Sequence, residues 1–324
     1  MSTVLLRALN ASNKSLPQSA LSWLQQCSTV AAELDNGYIL LDHYGEKGVR
    51  KCMEDECVII PSLRKLNPNI PESYDFLVCA LYDGHGGRTC ATFARDHLVN
   101  EIVQQLLQNV GEGPEEFAEC IFKKSINAAC QRLDSRIAHE LVGCNDGCTA
   151  LLLFIGRQKV FALNIGDSAA YICRKVDNVL HAIPLNEIHK AWIPKEKERV
   201  THYGGTVEGG RVNGVLEVTR SFGDLSLKRF GIKCTGSFRQ ATFDFGNDEM
   251  IMLACDGFWS VYDPHEACRL ALRFLRQDES RAQSDPQLPF VNLRKICKDL
   301  VENALTVKRA QDNITVMLIR FVRS

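Results

Sequence analysis

The 324-residue sequence has no apolar run long enough to cross a bilayer. It also lacks an excess of either charge: 38 Lys and Arg face 39 Asp and Glu, for a net charge of −1. A chain whose main partner is nucleic acid would usually carry a basic stripe, and none is visible. CxxC pairs are missing too. The 14 cysteines are scattered, and several, such as Cys79, Cys173 and Cys255, fall inside apolar runs. That scatter fits small apolar residues in a reducing compartment, cytoplasmic or nuclear, rather than a disulfide framework or a zinc site. Acidic residues are absent from the first 32 positions, which hold Arg7 and Lys14 as their basic side chains. A mitochondrial presequence has that look, but two basic groups are few, and an ordinary N-terminal extension is the preferred reading. With no internal repeat or low-complexity linker, the chain divides most simply into an extension, residues 1–43, and one domain, residues 44–324. A monomer that contacts neither membrane nor nucleic acid is expected.

Strand character recurs along the domain. Asp75–Tyr82 is a short apolar run, and Thr149–Ile155 and Lys159–Ile165 read as a hairpin that Ala170–Cys173 continues. Met250–Cys255 and Ile314–Val322 add two more runs rich in bulky or β-branched residues. Helical spacing of apolar residues marks 90–108 and 115–141, and a further helix is expected over 291–307. Asp263-Pro264 starts another, with Asp as N-cap and Pro in the first turn. Hairpins separated by long helical blocks predict an α+β fold, with sheets covered by helices. The glycine-rich 204–214 stretch reads as a loop or flap, and Gln277–Gln287 as a polar, mobile insertion.

An apolar strand followed at once by aspartate occurs at LYDG (Asp83), NIGDS (Asp167) and LACDG (Asp256), and AQDN places Asp312 just before the last strand. A carboxylate at a strand end is held at the rim of its sheet, where several can converge from distant parts of the chain. Converging carboxylates repel unless neutralised, and hard ions such as Mg²⁺ or Mn²⁺ prefer oxygen ligands. A pair of ions roughly 3.5–4 Å apart can activate water and stabilise phosphoryl transfer. No thiol nucleophile is then needed. The one Cys-x5-Arg match, Cys130 to Arg136, has no glycine within it and lies in a helical pattern.

GVRKCMED (48–55), ALYDGHGG (80–87), GCTA (147–150), NIGDSAA (164–170), VTRSFGD (218–224), LACDGFW (253–259) and DNITVML (312–318) follow in order. This series resembles the type 2C family of metal-dependent protein phosphatases over residues 44–322. The stretch from GGTVEGG to KRFG is most similar to its integrin-linked-kinase-associated subgroup. The resemblance implies a β-sandwich of two antiparallel sheets flanked by helices, and hydrolysis of phosphoserine and phosphothreonine in phosphoprotein substrates by water activated on two Mg²⁺ or Mn²⁺ ions. It implies that Asp83 bridges the ions, that the Gly84 carbonyl adds a ligand, and that Asp256 and Asp312 hold the second ion. Glu54 would orient a metal-bound water with Asp55 beside it, Arg50 would grip the phosphate, and His85 would protonate the leaving alkoxide. Asp167 would serve a third ion. Asp224 is expected to form hydrogen bonds rather than bind metal.

The sequence departs from the family pattern in three places. Ser260 stands where many members carry a second acid after LACD, which removes a ligand from the third ion. MEDEC replaces MEDAH and adds Glu56, and Cys148 replaces a serine. Two other readings compete with an active enzyme. A pseudophosphatase scaffold would have lost a metal carboxylate or the arginine, whereas Arg50, Glu54, Asp83, Asp256 and Asp312 are all present. A nuclease would need the basic stripe that is missing.

Overall fold

The computed structural model describes residues 29–34, 37–110, 117–156, 158–284 and 291–323. Residues 1–28 of the expected extension, with its targeting question, lie outside them. The first eight strands are β1 (Val30–Leu34), β2 (Gly37–Glu46), β3 (Glu56–Ile60), β4 (Leu77–Tyr82), β5 (Gly84–His85), β6 (Gly147–Cys148), β7 (Ala150–Gly156) and β8 (Lys159–Ile165). They are followed by β9 (Ala169–Val176), β10 (Val179–Pro184), β11 (Val207–Glu208), β12 (Arg211–Val212), β13 (Phe222–Gly223), β14 (Ser237–Thr242), β15 (Asp248–Ala254) and β16 (Ile314–Arg323). The helices are α1 (Thr89–Val110), α2 (Glu119–Glu140), α3 (Pro194–His202), α4 (Asp256–Trp259), α5 (Pro264–Ser284) and α6 (Leu293–Thr306).

Two antiparallel sheets form the body, one ordered β1-β2-β16-β15-β9-β10 and the other β14-β8-β7-β4-β3. Their facing side chains, including Leu41, Ile251 and Met317 from the first and Cys79, Leu81 and Leu153 from the second, make one buried core. Alternate residues of the same strands point outward. Val78, Ala80 and Tyr82 of β4 meet α1 and α2, and Met250, Met252 and Ala254 of β15 meet α5 and α6. A strand covered on both faces needs apolar residues at every position, which is why LVCALY and MIMLA read as unbroken runs. The α+β sandwich expected from the sequence is the fold observed.

Four details differ from expectation. β2 pairs with β16 over its whole length, from Gly37↔Arg323 to Glu46↔Ile314, so the expected boundary at 43/44 falls inside a strand. α5 runs on to Ser284, so residues 277–284 are helical, whereas 285–287 lie outside the described residues. Gln277, Glu279 and Arg281 are good helix formers, and the backbone N–H of Asn292 donates to Asp278 Oδ2 at 2.8 Å. Cys173 of β9 and Cys268 of α5 are disulfide-bonded, with Cα atoms 6.0 Å apart, a usual spacing for such a bond. The expectation of unpaired thiols throughout therefore fails for this pair. A helix, α3, leads into the 204–214 flap, whose glycine-rich chain is a hairpin of β11 and β12 rather than a loop. Gly209 and Gly210 turn it with φ of 56° and 78°, the left-handed pair that a two-residue turn requires.

Candidate metal centre and active site

The carboxylates arrive at one rim from both sheets. Asp83 follows β4, Asp55 precedes β3, Asp167 sits between β8 and β9, Asp256 opens α4 after β15, and Asp312 lies just ahead of β16. Ligand atoms of Asp55, Asp83 and Cys255 all lie within 4.8 Å of one another. Burial pushes the Asp83 carboxyl well up, and Asp55, Asp256, Asp167 and Asp312 push it further. Asp55 is pushed up to about 6 by burial and by Asp256 and Asp312, against the hydrogen bond from Thr315. Asp167 rises to about 7 through burial and Asp256, with Lys190 opposing. Asp312 is raised by burial first, while Arg50 pulls the other way. Carboxylates that raise one another's pKa in this way share a single electrostatic site.

The donors fit hard divalent cations. Asp55 Oδ2 accepts from Thr315 Oγ1 at 2.6 Å, while its buried Oδ1 has no hydrogen-bond partner. Such an acceptor among carboxylates is suited to a cation. Cys255 is different. Burial, then Asp55, Asp83 and Asp256, push its thiol far up, so it stays protonated. Its Sγ lies 3.4 Å from the Asn313 carbonyl, to which it donates, and 3.2 Å from Thr315 N, from which it accepts.

Beside the carboxylates stands His85. Its Nε2 is 2.8 Å from Asp224 Oδ2, an oxygen that also accepts from Ser221 Oγ at 2.5 Å. Burial lowers the His85 pKa, but the Asp224 hydrogen bond and charge, with Asp167 and Glu54, raise it more. A Cβ on Gly147 would lie 2.3 Å from Asp224 Oδ2 and 2.6 Å from His85 Nε2, so only glycine fits against this pair. Asp146, next in the chain, accepts from Thr89 N at 2.8 Å and caps α1 from across the fold.

The loop carrying Arg50 and Glu54 is pinned by Asn313. The Asn313 Oδ1 accepts from Glu54 N at 2.8 Å, and its Nδ2 donates to the carbonyls of Lys47 and Cys52 at 3.0 and 2.9 Å. Arg50 Nη2 reaches Asp312 Oδ2 at 2.7 Å with the guanidinium half exposed. Lys190 Nζ lies 3.1 Å from Asp167 Oδ2 and 3.6 Å from Asp256 Oδ2. Burial works against its charge, but those two carboxylates and Glu217 hold its pKa up.

A family model described as protein phosphatase 2C matches residues 41–314. The chain belongs to the protein phosphatase 2C family. It is 32% identical over 312 residues to probable protein phosphatase 2C 8 of Arabidopsis thaliana, spanning 91% of this chain and 82% of that one. With the integrin-linked kinase-associated serine/threonine phosphatase 2C of Homo sapiens it shares 29% identity over 279 residues, 85% of this chain and 70% of that one. Among solved structures, the serine-threonine phosphatase 2C of Toxoplasma gondii has the same fold, with a TM-score of 0.69 at 20% identity over 91% of this chain and 99% of that one. A C. elegans sex determining protein also matches, with a TM-score of 0.69 at 24% identity over 90% and 66%. Metal-dependent hydrolysis of protein phosphoserine and phosphothreonine is the activity of the family.

Within this phosphatase fold, Asp83, Asp167, Asp256 and Asp312 share one electrostatic site, with Arg50 on Asp312 and His85 near Glu54. Gly84 is buried against this loop, where a Cβ would lie 2.5 Å from the Glu54 carbonyl. Asp55, expected beside Glu54, has its own carboxylate among the converging group. Glu56 serves the scaffold. Arg88 Nε and Arg95 Nη1 each reach its carboxylate at 2.5 Å, tying β3 to α1. Ser260 Oγ donates to the Gly257 carbonyl at 2.9 Å. The reading from sequence did not single out Lys190 or Asn313, although Asn313 lies within the DNITVML motif.

Proposed function

We propose that this phosphatase binds two ions, Mg²⁺ or Mn²⁺, between Asp83, the Gly84 carbonyl, Asp256 and Asp312, with Asp55 completing the carboxylate group. When bound, the ions supply positive charge for the phosphoryl oxygens and the acidity that makes water a nucleophile near neutral pH. The observation that carries the assignment is the convergence of five aspartates on one rim, with an unpartnered buried oxygen on Asp55.

The remaining side chains divide the work. Arg50, whose fork matches two phosphoryl oxygens, would exchange its contact with Asp312 for the phosphate of the substrate. Glu54, carried by the loop that Asn313 pins, would accept a hydrogen bond from the water. His85 gives a proton to the serine or threonine oxygen as it leaves. Asp224 engages Nε2, so Nδ1 is the nitrogen that remains for transfer. We keep the assembly at two ions, because Ser260 offers no carboxylate and the Lys190 ammonium already neutralises Asp167. Phosphoproteins reach a monomer in the cytoplasm or nucleus on this reading.

The test is phosphate release from a phosphothreonine peptide with EDTA, Mg²⁺ or Mn²⁺, run beside Asp256→Asn. Release that needs metal and is lost in the variant is the expected result. A folded protein releasing no phosphate with either ion would refute the assignment.

A further inference from the structure

Arg269, Arg273 and Arg276 are all exposed on α5, and their spacing puts them on one face of the helix. Among the described residues none of them has a carboxylate at ion-pairing distance. The acids of the same helix are engaged elsewhere: Glu266 with Lys308, Glu279 with Arg320, and Asp278 with the backbone N–H of Asn292. The three guanidiniums line a groove of about 750 Å³ between α5 and β10, whose apolar residues are Leu180 and Leu272 and whose lining includes no acid. In a chain of net charge −1, this is a concentrated, uncompensated positive surface. α5 itself follows α4, which carries Asp256, in the chain.

We propose that this groove docks an acidic, extended segment of the phosphoprotein substrate, away from the phosphorylated residue. The proposal rests on the phosphatase reading above. Guanidinium forks pair with carboxylates in two-pronged geometry. Alternate side chains of an extended chain stand about 6.5 Å apart, close to the ~6 Å axial step from Arg269 to Arg273. Leu180 and Leu272 give the aliphatic stems of such a segment an apolar surface. Nucleic acid would call for a longer run of phosphate contacts than three arginines provide.

The experiment uses the full chain and two readouts. A fluorescein-labelled Asp/Glu-rich peptide is titrated by anisotropy. A phosphothreonine peptide is then assayed with and without the same acidic tail on a flexible linker. The tail is expected to lower KM by about tenfold with kcat unchanged, as tethering predicts. Charge reversal by Arg269→Glu, Arg273→Glu and Arg276→Glu together should abolish peptide binding and the tail's advantage, leaving hydrolysis of an aryl phosphate intact. The corresponding Gln variant, checked by thermal melting, covers any loss of folding. A tail without benefit, or a benefit that survives charge reversal, would overturn the proposal. So would capture of an oligonucleotide or an anionic vesicle in place of the peptide, lost in the same variant. Because anisotropy needs no turnover, failure of the groove is distinguishable from failure of the phosphatase assignment.

Discussion

His85 and Asp224 are 139 positions apart in the chain, yet Nε2 and Oδ2 meet at 2.8 Å. Asp224 is itself fixed by Ser221, so the imidazole is held in one orientation with its charge supported. His85→Ala should lower kcat on a phosphothreonine peptide by about 10²–10⁴-fold, the usual worth of a general acid. An aryl phosphate, whose leaving group needs no proton, should lose far less. Asp224→Asn should follow the same pattern with a smaller loss. Equal losses on both substrates would remove the proton-donor role.

Gly147 predicts the same defect from the opposite direction. A methyl group there would overlap both Asp224 Oδ2 and His85 Nε2. Gly147→Ala should therefore leave the metal carboxylates in place while displacing the pair. Peptide turnover should fall by orders of magnitude with Mn²⁺ affinity, measured by calorimetry, nearly unchanged. Loss of metal binding in this variant would mean that the strand, rather than the pair, had moved.

The two halves of the site differ in how legible they are in sequence. Asp83 and Asp256 stand out because a strand buried on both faces is an unbroken apolar run, and its end is marked by the first charge. His85 to Asp224 depends on the small sheet of β13, β6 and β5, whose strands span two residues each. No hydrophobic period can be read from two residues. Lys190 lies in the irregular segment ahead of α3, so its contact with Asp167 follows from how that segment folds over the rim. The Cys173 to Cys268 bond closes a separation of 95 positions, and nothing in cysteine spacing marks it. The last turns of α5 read as a mobile insertion because they are polar and carry no apolar period, although Gln277 and Glu279 are good helix formers.

Removing metal should make stability depend on pH. Asp55 and Asp167 sit at about 6 and about 7, well above the ordinary 3.8. The folded chain thus binds these protons more tightly than the unfolded one. That stabilisation is complete below the unfolded value and is lost as pH rises through the folded ones. Melting in EDTA should drop by several degrees between about pH 5 and pH 8, and added Mn²⁺ should flatten the profile. Asp83→Asn should melt higher than wild type in EDTA near pH 8, because one repelling charge is gone. The same variant should gain little from Mn²⁺ and lose turnover by orders of magnitude. A wild-type melting curve in EDTA that is flat with pH would contradict the convergence of charge.

Glu196 shows the opposite sign. It is buried in α3, where Arg220 Nη2 lies 2.7 Å from Oε1, and Arg199 Nη2 and Thr219 Oγ1 lie 2.6 and 2.5 Å from Oε2. Burial raises its pKa, but Arg220, Arg199 and Thr219 lower it more, leaving it far below the ordinary value of 4.5. Its contribution is therefore present above the unfolded value and lost as pH falls through the folded one. Both arginines are themselves largely buried, so removing the carboxylate leaves their charges uncompensated. Glu196→Gln should cost about 3–5 kcal/mol, the usual penalty for breaking a buried pair from one side. Hydrogen exchange should localise the loosening to α3 and the flap, residues 194–214 together, and melting of the variant should respond less to acid below pH 4.5. Full stability in Glu196→Gln would show that the flap is held by its apolar cluster of Val200, Val212 and Ile232 rather than by the buried charge.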